Sequence, residues 1–272
     1  MATSTSSPTV PPDQNAALNQ VLTYLSAKDD TSRFVGLTVL QKLLDSNESL
    51  RTNSEVVSKC YNAIPTKFLA RLLQATQSDK TSLEEANSMN QLAVAIINIF
   101  AILLPAEKLA DQKTVSLVGP LAAGLHRYSD ETRTLALQAL LSIASNEPGA
   151  KAIFRSEARS FIVEEARREE VAVQAVGRVL SLVRRSGDIN TKEDLRLWEN
   201  SLGRVVCGCE TKEKSAVMEL CTDVLRNFEV GPKFLSRVII LTCCLICLSV
   251  YLTDQLCRMG NDKDIIPPSV SV

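Results

Sequence analysis

Cysteine is the residue type whose clustering first suggests chemistry in this chain. Seven of the eight cysteines follow residue 200 of the 272-residue sequence. They include the pair Cys207-Gly208-Cys209 and the cluster Cys243-Cys244-Leu245-Ile246-Cys247, whose spacing raises the hypothesis of a metal site. Zinc sites, however, usually combine Cys-x-x-Cys pairs or add a nearby histidine, and the second cluster lies in an apolar run, where ligation would compete with packing. We therefore predict reduced thiols and no bound metal or cofactor.

Catalytic motifs are sparse, because the sequence contains a single histidine, His126. Gly119 and Gly124 have the spacing of a phosphate-binding loop, but the Lys-Ser/Thr pair that must follow to reach the phosphates is missing. A general base needs a nucleophile and an orienting group beside it, and no motif supplies them. We interpret His126 as compensation for the dipole at a helix C-terminus. An enzyme that uses His126, Glu84 or Glu85 is a hypothesis that no motif supports, so the sequence predicts no catalytic residue.

The overall composition limits the classes of function. With 30 basic and 31 acidic residues and a formal net charge of −1, the chain lacks the basic excess that is typical of nucleic-acid binders. Hydrophobic residues make up 45% of the chain, which allows a large folded core. The N-terminal stretch has neither the basic nor the apolar region of a secretory signal. We therefore predict a folded cytoplasmic protein without a nucleic-acid partner.

Apolar residues recur at helical spacing along most of the chain, without the alternation that is typical of strands. Thr81-Ser82-Leu83-Glu84 fits a capping box that opens a long apolar helix to Leu104, which we place centrally in the fold. Further helices are predicted at residues 112–127, 130–145, 157–167, 168–185, 191–207 and 211–228. About ten consecutive amphipathic helices, recurring as pairs at intervals of roughly 40 residues, favour an all-α armadillo/HEAT-like helical-repeat solenoid over a closed bundle.

These patterns divide the chain into four predicted regions. Residues 1–12 form a disordered tail, 13–230 an armadillo-like helical domain, 231–258 an apolar helix and 259–272 a flexible tail. Within the domain, Glu164 to Glu170 form the densest run of charges. Because both signs alternate in this run, we interpret it as a solvated helical face. A partner-binding ridge is the alternative interpretation.

Three motifs in chain order resemble the neurochondrin family. The first is Lys28-Asp29-Asp30-Thr31-Ser32-Arg33-Phe34-Val35-Gly36-Leu37, an acidic pair before an Arg-Phe-Val-Gly-Leu run. The second combines Asn62-Ala63-Ile64-Pro65 with Phe68-Leu69 and Arg71-Leu72-Leu73, and the third is the long helix from Met89 to Leu104. Together these motifs span residues 20–105, and fainter similarity in helix placement extends to about Phe234. We expect the resemblance to end there.

The resemblance implies an armadillo-like, non-enzymatic protein that acts through protein partners. Members of this family are usually longer, so we expect the chain to correspond to an N-terminal portion. The family-motif residues are Asp29, Asp30, Arg33, Phe34, Gly36, Pro65, Phe68 and Arg71.

The chemistry of the first motif predicts capping and packing. Asp29 and Asp30 can cap a helix and pair with Arg33 one turn later. Phe34 is expected to point into the core, and Gly36 to allow the close approach of a neighbouring helix. A peptide-binding role for Arg33 is the alternative hypothesis.

An uncharged run of 15 residues, from Val238 to Leu252, follows the helical domain. Its apolar positions include Val238, Leu241, Leu245, Leu248 and Leu252. As a helix the run would span about 22 Å, which is less than the bilayer hydrocarbon thickness of about 30 Å. Three explanations stay open: a single C-terminal membrane anchor, a buried terminal helix, or the product of an incorrect gene model, which the predicted loss of resemblance favours.

Two functional hypotheses follow. The first is a cytoplasmic scaffold that binds a protein partner on its helical surface. The second is a tail-anchored membrane adaptor, with residues 238–252 in the bilayer and the helical domain in the cytosol.

Overall fold

The computed structural model describes residues 12–75 and 82–208, together with 217, 220 and 222. Every element of regular structure in these ranges is helical. In chain order the helices are α1 (Pro12–Leu25), α2 (Asp30–Ser46), α3 (Glu48–Thr52), α4 (Ser54–Ala63), α5 (Thr66–Leu73), α6 (Leu83–Leu103), α7 (Ala106–Leu109), α8 (Gln112–Val115), α9 (Val118–Ala123), α10 (Asp130–Ile143), α11 (Glu147–Arg155), α12 (Ala158–Glu165), α13 (Glu170–Arg185) and α14 (Lys192–Gly208). The predicted boundaries at residues 231 and 259 lie outside the described ranges.

Local sequence sets where several of the helices begin. The side-chain oxygens of Ser82, Ser129 and Asn146 each accept a hydrogen bond from a backbone N–H in the first turn of α6, α10 and α11. Each such cap stabilises a helix by about 1 kcal/mol. The capping box of α6 lies one residue later than predicted, because Ser82 Oγ accepts from the backbone N–H of Glu85 and also donates to its carboxylate, at 3.3 and 3.1 Å.

One predicted helix is broken in the structure. The stretch 112–127 contains the two short helices α8 and α9, so the prediction of a single helix there is wrong. Pro120 lies in the first turn of α9, where its missing N–H costs nothing. The same proline could not donate the hydrogen bond that a continuous helix requires at that point, and the chain therefore begins a new helix.

The helix α6 forms the centre of the fold. It packs against three helices that precede it in the sequence, α2, α4 and α5, and against α10, which follows it. By length and composition this 21-residue helix could cross a membrane, but 61% of its most apolar stretch is buried inside the protein. We therefore interpret α6 as the core helix of the fold, as the sequence predicts.

The longest helices stack one upon the next along the chain. α6 packs on α2, α10 on α6, and α13 on α10. The helices α6, α10 and α13 begin at Leu83, Asp130 and Glu170, so the interval is about the length of one armadillo or HEAT repeat. Shorter helices such as α5, α11 and α12 cover these long helices. The described residues thus confirm the all-α helical-repeat solenoid, in which each repeat buries its apolar face against its neighbours.

Candidate binding surface

The two family motifs near the N-terminus meet in the folded chain. Asp30 accepts a hydrogen bond from Arg33 at 3.1 Å through Oδ1, and its Oδ2 lies 2.6 Å from Nη2 of Arg71, which is 41 residues away. The guanidinium of Arg33 also lies over the ring of Phe68, 5.9 Å from its centroid. We call these four residues the motif cluster. It connects the start of α2 to α5.

The neighbouring motif residues support the entry into α2 and α5. Asp29 caps α2 by accepting a hydrogen bond from the Ser32 backbone N–H at 2.7 Å, and this bond lowers the pKa of the Asp29 carboxyl. Pro65 occupies the residue before α5. Phe34 is half-buried and packs against the core. These motif residues therefore serve to cap α2, to precede α5 and to pack against the core.

Gly36 marks the closest approach of α1 and α2. A Cβ atom at this position would lie 2.9 Å from Tyr24 Cβ and 3.2 Å from the Leu25 backbone nitrogen. Both of those atoms are held by the backbone of α1, so neither can rotate away. Only glycine fits here without moving the two helices apart.

Three side chains that could take part in chemistry make contacts within the fold instead, those of His126, Cys60 and Glu85. His126 is exposed, accepts a hydrogen bond from Arg127 Nε at 3.0 Å and stacks on Phe161 with 6.0 Å between ring centroids. Cys60 is buried, and desolvation raises the pKa of its thiol to about 11, so the thiol is protonated at neutral pH. Glu85 takes part in the cap of α6. Within the described residues, no group of three or more His, Cys, Asp or Glu side chains is placed to hold a metal ion.

The side chains of the two C-terminal cysteine clusters and the whole run from Val238 to Leu252 lie outside the described residues.

The charge run from Glu164 to Glu170 is not one solvated helical face, so this prediction is wrong. α12 ends at Glu165 and α13 begins at Glu170. Glu165 is only 6% exposed, and its Oε2 lies 3.8 Å from Nη1 of Arg133. Burial raises the pKa of the Glu165 carboxyl, although Arg133 opposes this shift.

An open groove of about 650 Å³ lies over α13. It is lined by Leu141, Ser142 and Ser145 at the end of α10, by α13 from Val173 to Arg185, and by Leu220. Leu220 packs close to the helix, because a Cβ atom on Gly177 would lie 3.1 Å from Leu220 Cδ1. We call this feature the α13 groove.

Two arginines give the α13 groove its charge. Arg178 and Arg185 are exposed, and among the described lining residues they are the charged ones. The sequence carries only a weak indication of this surface: Gln174, Arg178, Ser181 and Arg185 recur at the spacing of one helical stripe. A polar stripe predicts a surface face, but not the neighbours that turn the face into a groove.

Comparison with protein families gives a match over most of the chain. A family model described as Neurochondrin matches residues 12–250. This match runs past Phe234, the predicted end of the resemblance, so that prediction is wrong, and it includes most of the apolar run. An uncharacterized protein of Schizosaccharomyces pombe (strain 972 / ATCC 24843) is 39% identical over 66 residues, which are 24% of this chain and only 11% of that protein.

Two solved structures also align with most of the chain at low identity. A designed armadillo repeat protein in complex with the peptide (KR)4 is 17% identical, with a TM-score of 0.43 over 84% of this chain and 99% of that chain. An engineered protein is 15% identical, with a TM-score of 0.45 over 84% of this chain and 94% of that chain. The packing of this chain's own helices, not these alignments, establishes the solenoid.

Proposed function

The chain belongs to the neurochondrin family, and from this membership we propose that it is a non-enzymatic helical-repeat scaffold that binds protein partners. The α13 groove is the observation that carries the proposal. The described residues leave it open to solvent, and separate parts of the chain build it: the end of α10, α13 and Leu220. A groove shared by successive repeats is the kind of surface on which solenoid proteins bind extended partners.

Among the described residues, neither His126 nor Cys60 has the surroundings that a catalytic role requires. The imidazole of His126 contacts Arg127 and Phe161, and neither neighbour is a nucleophile. The thiol of Cys60 is buried and protonated at neutral pH, whereas a reactive cysteine needs the thiolate. We therefore assign no reaction to the described part of the chain.

Site-specific cross-linking tests the scaffold proposal. A photo-reactive phenylalanine analogue replaces Gln174 in the groove and, as the matched control, Gln112 on α8; both glutamines are exposed. After irradiation in an extract of the source cells, we expect protein adducts from position 174 that do not form from position 112. The same adducts from both positions, or none from position 174, would refute the groove as the binding surface.

As a second function we propose membrane attachment through residues 238–252. The uncharged composition of the run supports membrane attachment. The family match continues to residue 250, which argues against the explanation that an incorrect gene model produced the run. The test compares the full chain with a version that ends at Asn227. Resistance of only the full chain to alkaline extraction would support the anchor, whereas two soluble, folded forms would support the cytoplasmic scaffold.

A further inference from the structure

We propose that one face of the central helix α6 binds an uncharged, extended segment of a partner protein, with the side-chain amide of Asn98 pairing with the backbone of that segment. The α6 face consists of residues that recur at helical spacing: Ser88, Gln91, Ala95, Asn98, Ile99 and Ile102. The described residues that line the α13 groove belong to other parts of the chain. The inference therefore adds a second binding surface to the proposed scaffold and does not depend on the groove.

The amide of Asn98 lacks a hydrogen-bond partner for its oxygen. Asn98 is only 6% exposed, and its buried Oδ1 accepts no hydrogen bond from the described residues. A buried polar group without a partner destabilises a fold by its lost hydration. A ligand that pairs with this amide would recover that free energy on binding.

The position of Asn98 along α6 places its amide at the surface of the stacked helices. Ala95, three residues earlier, is partly exposed, and Ile102, four residues later, is exposed. Residues at these spacings lie on one side of a helix, so Asn98 belongs to the same stripe.

Asn90 provides a contrast on the same helix. Its Oδ1 is also buried without a partner among the described residues. It recurs, however, with a stripe whose members are all buried: Ala86, Val94, Ile97 and Ala101. Asn90 therefore faces neighbouring helices, and only Asn98 of the two lies on the α6 face.

The α6 face is uncharged and partly apolar. From Ser88 to Ile102 the sequence contains no charged residue, and Ile102 is 58% exposed. On α2, which packs beside α6, Val35 and Val39 are 44% and 40% exposed. A charged ligand would lose hydration here without gaining an ion pair, so the face favours an uncharged segment with apolar side chains.

The hydrogen bonding of Asn98 determines the conformation of that segment. The backbone N–H and C=O groups of a helix are paired with each other, whereas those of an extended segment are free to pair with another group. An asparagine amide carries both a donor and an acceptor. It also turns readily about its last side-chain bond, so either polar atom can face the ligand. An extended backbone can therefore satisfy Asn98, and the side of a partner helix cannot.

Peptide selection on the full chain provides the test. The probe is a phage-displayed library of random peptides of about a dozen residues. We expect the enriched peptides to share an uncharged stretch with large apolar side chains. Fluorescence anisotropy of a fluorescein-labelled copy then measures the affinity, which should stay within about twofold at high salt because no ion pair contributes.

Two asparagine variants locate the binding site and exclude a purely structural role. We expect Asn98→Leu to weaken peptide binding about tenfold, as the loss of one hydrogen bond implies, and Asn90→Leu to leave affinity within about twofold. Both variants should raise Tm by about 2–4 °C, because each replaces an unpaired buried amide by an apolar side chain of similar size. A residue that serves only the fold would not separate the two variants in binding.

Two leucine and isoleucine positions test the apolar part of the α6 face. We expect Ile102→Gln to weaken peptide binding at least about threefold, because it removes exposed apolar surface from the face. The matched control is Leu83→Gln, which makes a similar change at an exposed residue in the first turn of α6 and should leave affinity within about twofold.

Several outcomes would overturn the inference. These are no enriched peptide, enrichment of charged peptides alone, equal effects of Asn98→Leu and Asn90→Leu on binding, or a lower Tm for Asn98→Leu, which would show that the amide is already satisfied. Self-association of the chain that Ile102→Gln abolishes would assign the face to a second copy instead. Adducts from position 174 in the cross-linking experiment would still support the scaffold in each of these cases.

Discussion

Replacing Gly36 by alanine tests whether the family motif serves the packing of α1 on α2. The added Cβ would lie 2.9 Å from Tyr24 Cβ and 3.2 Å from the Leu25 nitrogen. Because both atoms are fixed by the backbone of α1, the helices must separate by a few tenths of an ångström.

Two opposing effects decide the size of the change. Alanine is a better helix former than glycine by about 0.5–1 kcal/mol, and Gly36 lies in the interior of α2. Overpacking a well-packed contact costs about 1–3 kcal/mol. We therefore expect a net destabilisation of about 1 kcal/mol. For a chain of this size, that lowers Tm by about 2–4 °C.

Gly203→Ala is the matched control. A Cβ atom there meets nothing within 4 Å, and Gly203 lies inside α14, so only the helix-forming gain of about 0.5–1 kcal/mol remains. Thermal unfolding followed by circular dichroism should show a lower Tm for Gly36→Ala and a slightly higher one for Gly203→Ala. Equal shifts of the same sign in the two variants would refute the steric argument.

Further predictions concern buried and exposed charges and the buried thiol. Because burial raises the pKa of Glu165, its contribution to stability falls as pH rises above its ordinary pKa of about 4.3. We expect Glu165→Gln to raise Tm at pH 7 but not at pH 4, and a lower Tm at pH 7 would contradict this. The thiol of Cys60, with its pKa raised to about 11, should resist iodoacetamide at pH 8 until denaturant is added, as peptide mass spectrometry can show; fast labelling of the native chain would argue against its burial. The Arg71–Asp30 pair is about half exposed, so Arg71→Ala should cost less than about 1 kcal/mol, and a Tm loss above about 5 °C would show a larger role.

The sequence determines the helices of this protein, because helix formation depends on local contacts. Apolar spacing predicts the long central helix, and Thr81 and Glu84 at its start predict a cap, although one residue earlier than the observed pair Ser82 and Glu85. The predicted end of that helix at Leu104 lies one residue beyond its observed end at Leu103, and the proline that follows, Pro105, disfavours helical structure at the residue before it. The succession of such helices is sufficient to predict an all-α solenoid.

Only the tertiary structure decides which distant residues meet. Arg71 reaches Asp30 across 41 residues, and no local pattern encodes that contact. Glu165 looks like a surface charge in the sequence, but the junction between α12 and α13 buries it next to Arg133. Similarly, the stripe with Arg178 and Arg185 becomes part of a groove only because α10 and Leu220 lie beside α13. Helix periodicity specifies a face, whereas the stacking of successive repeats determines whether that face is buried, exposed or part of a binding site.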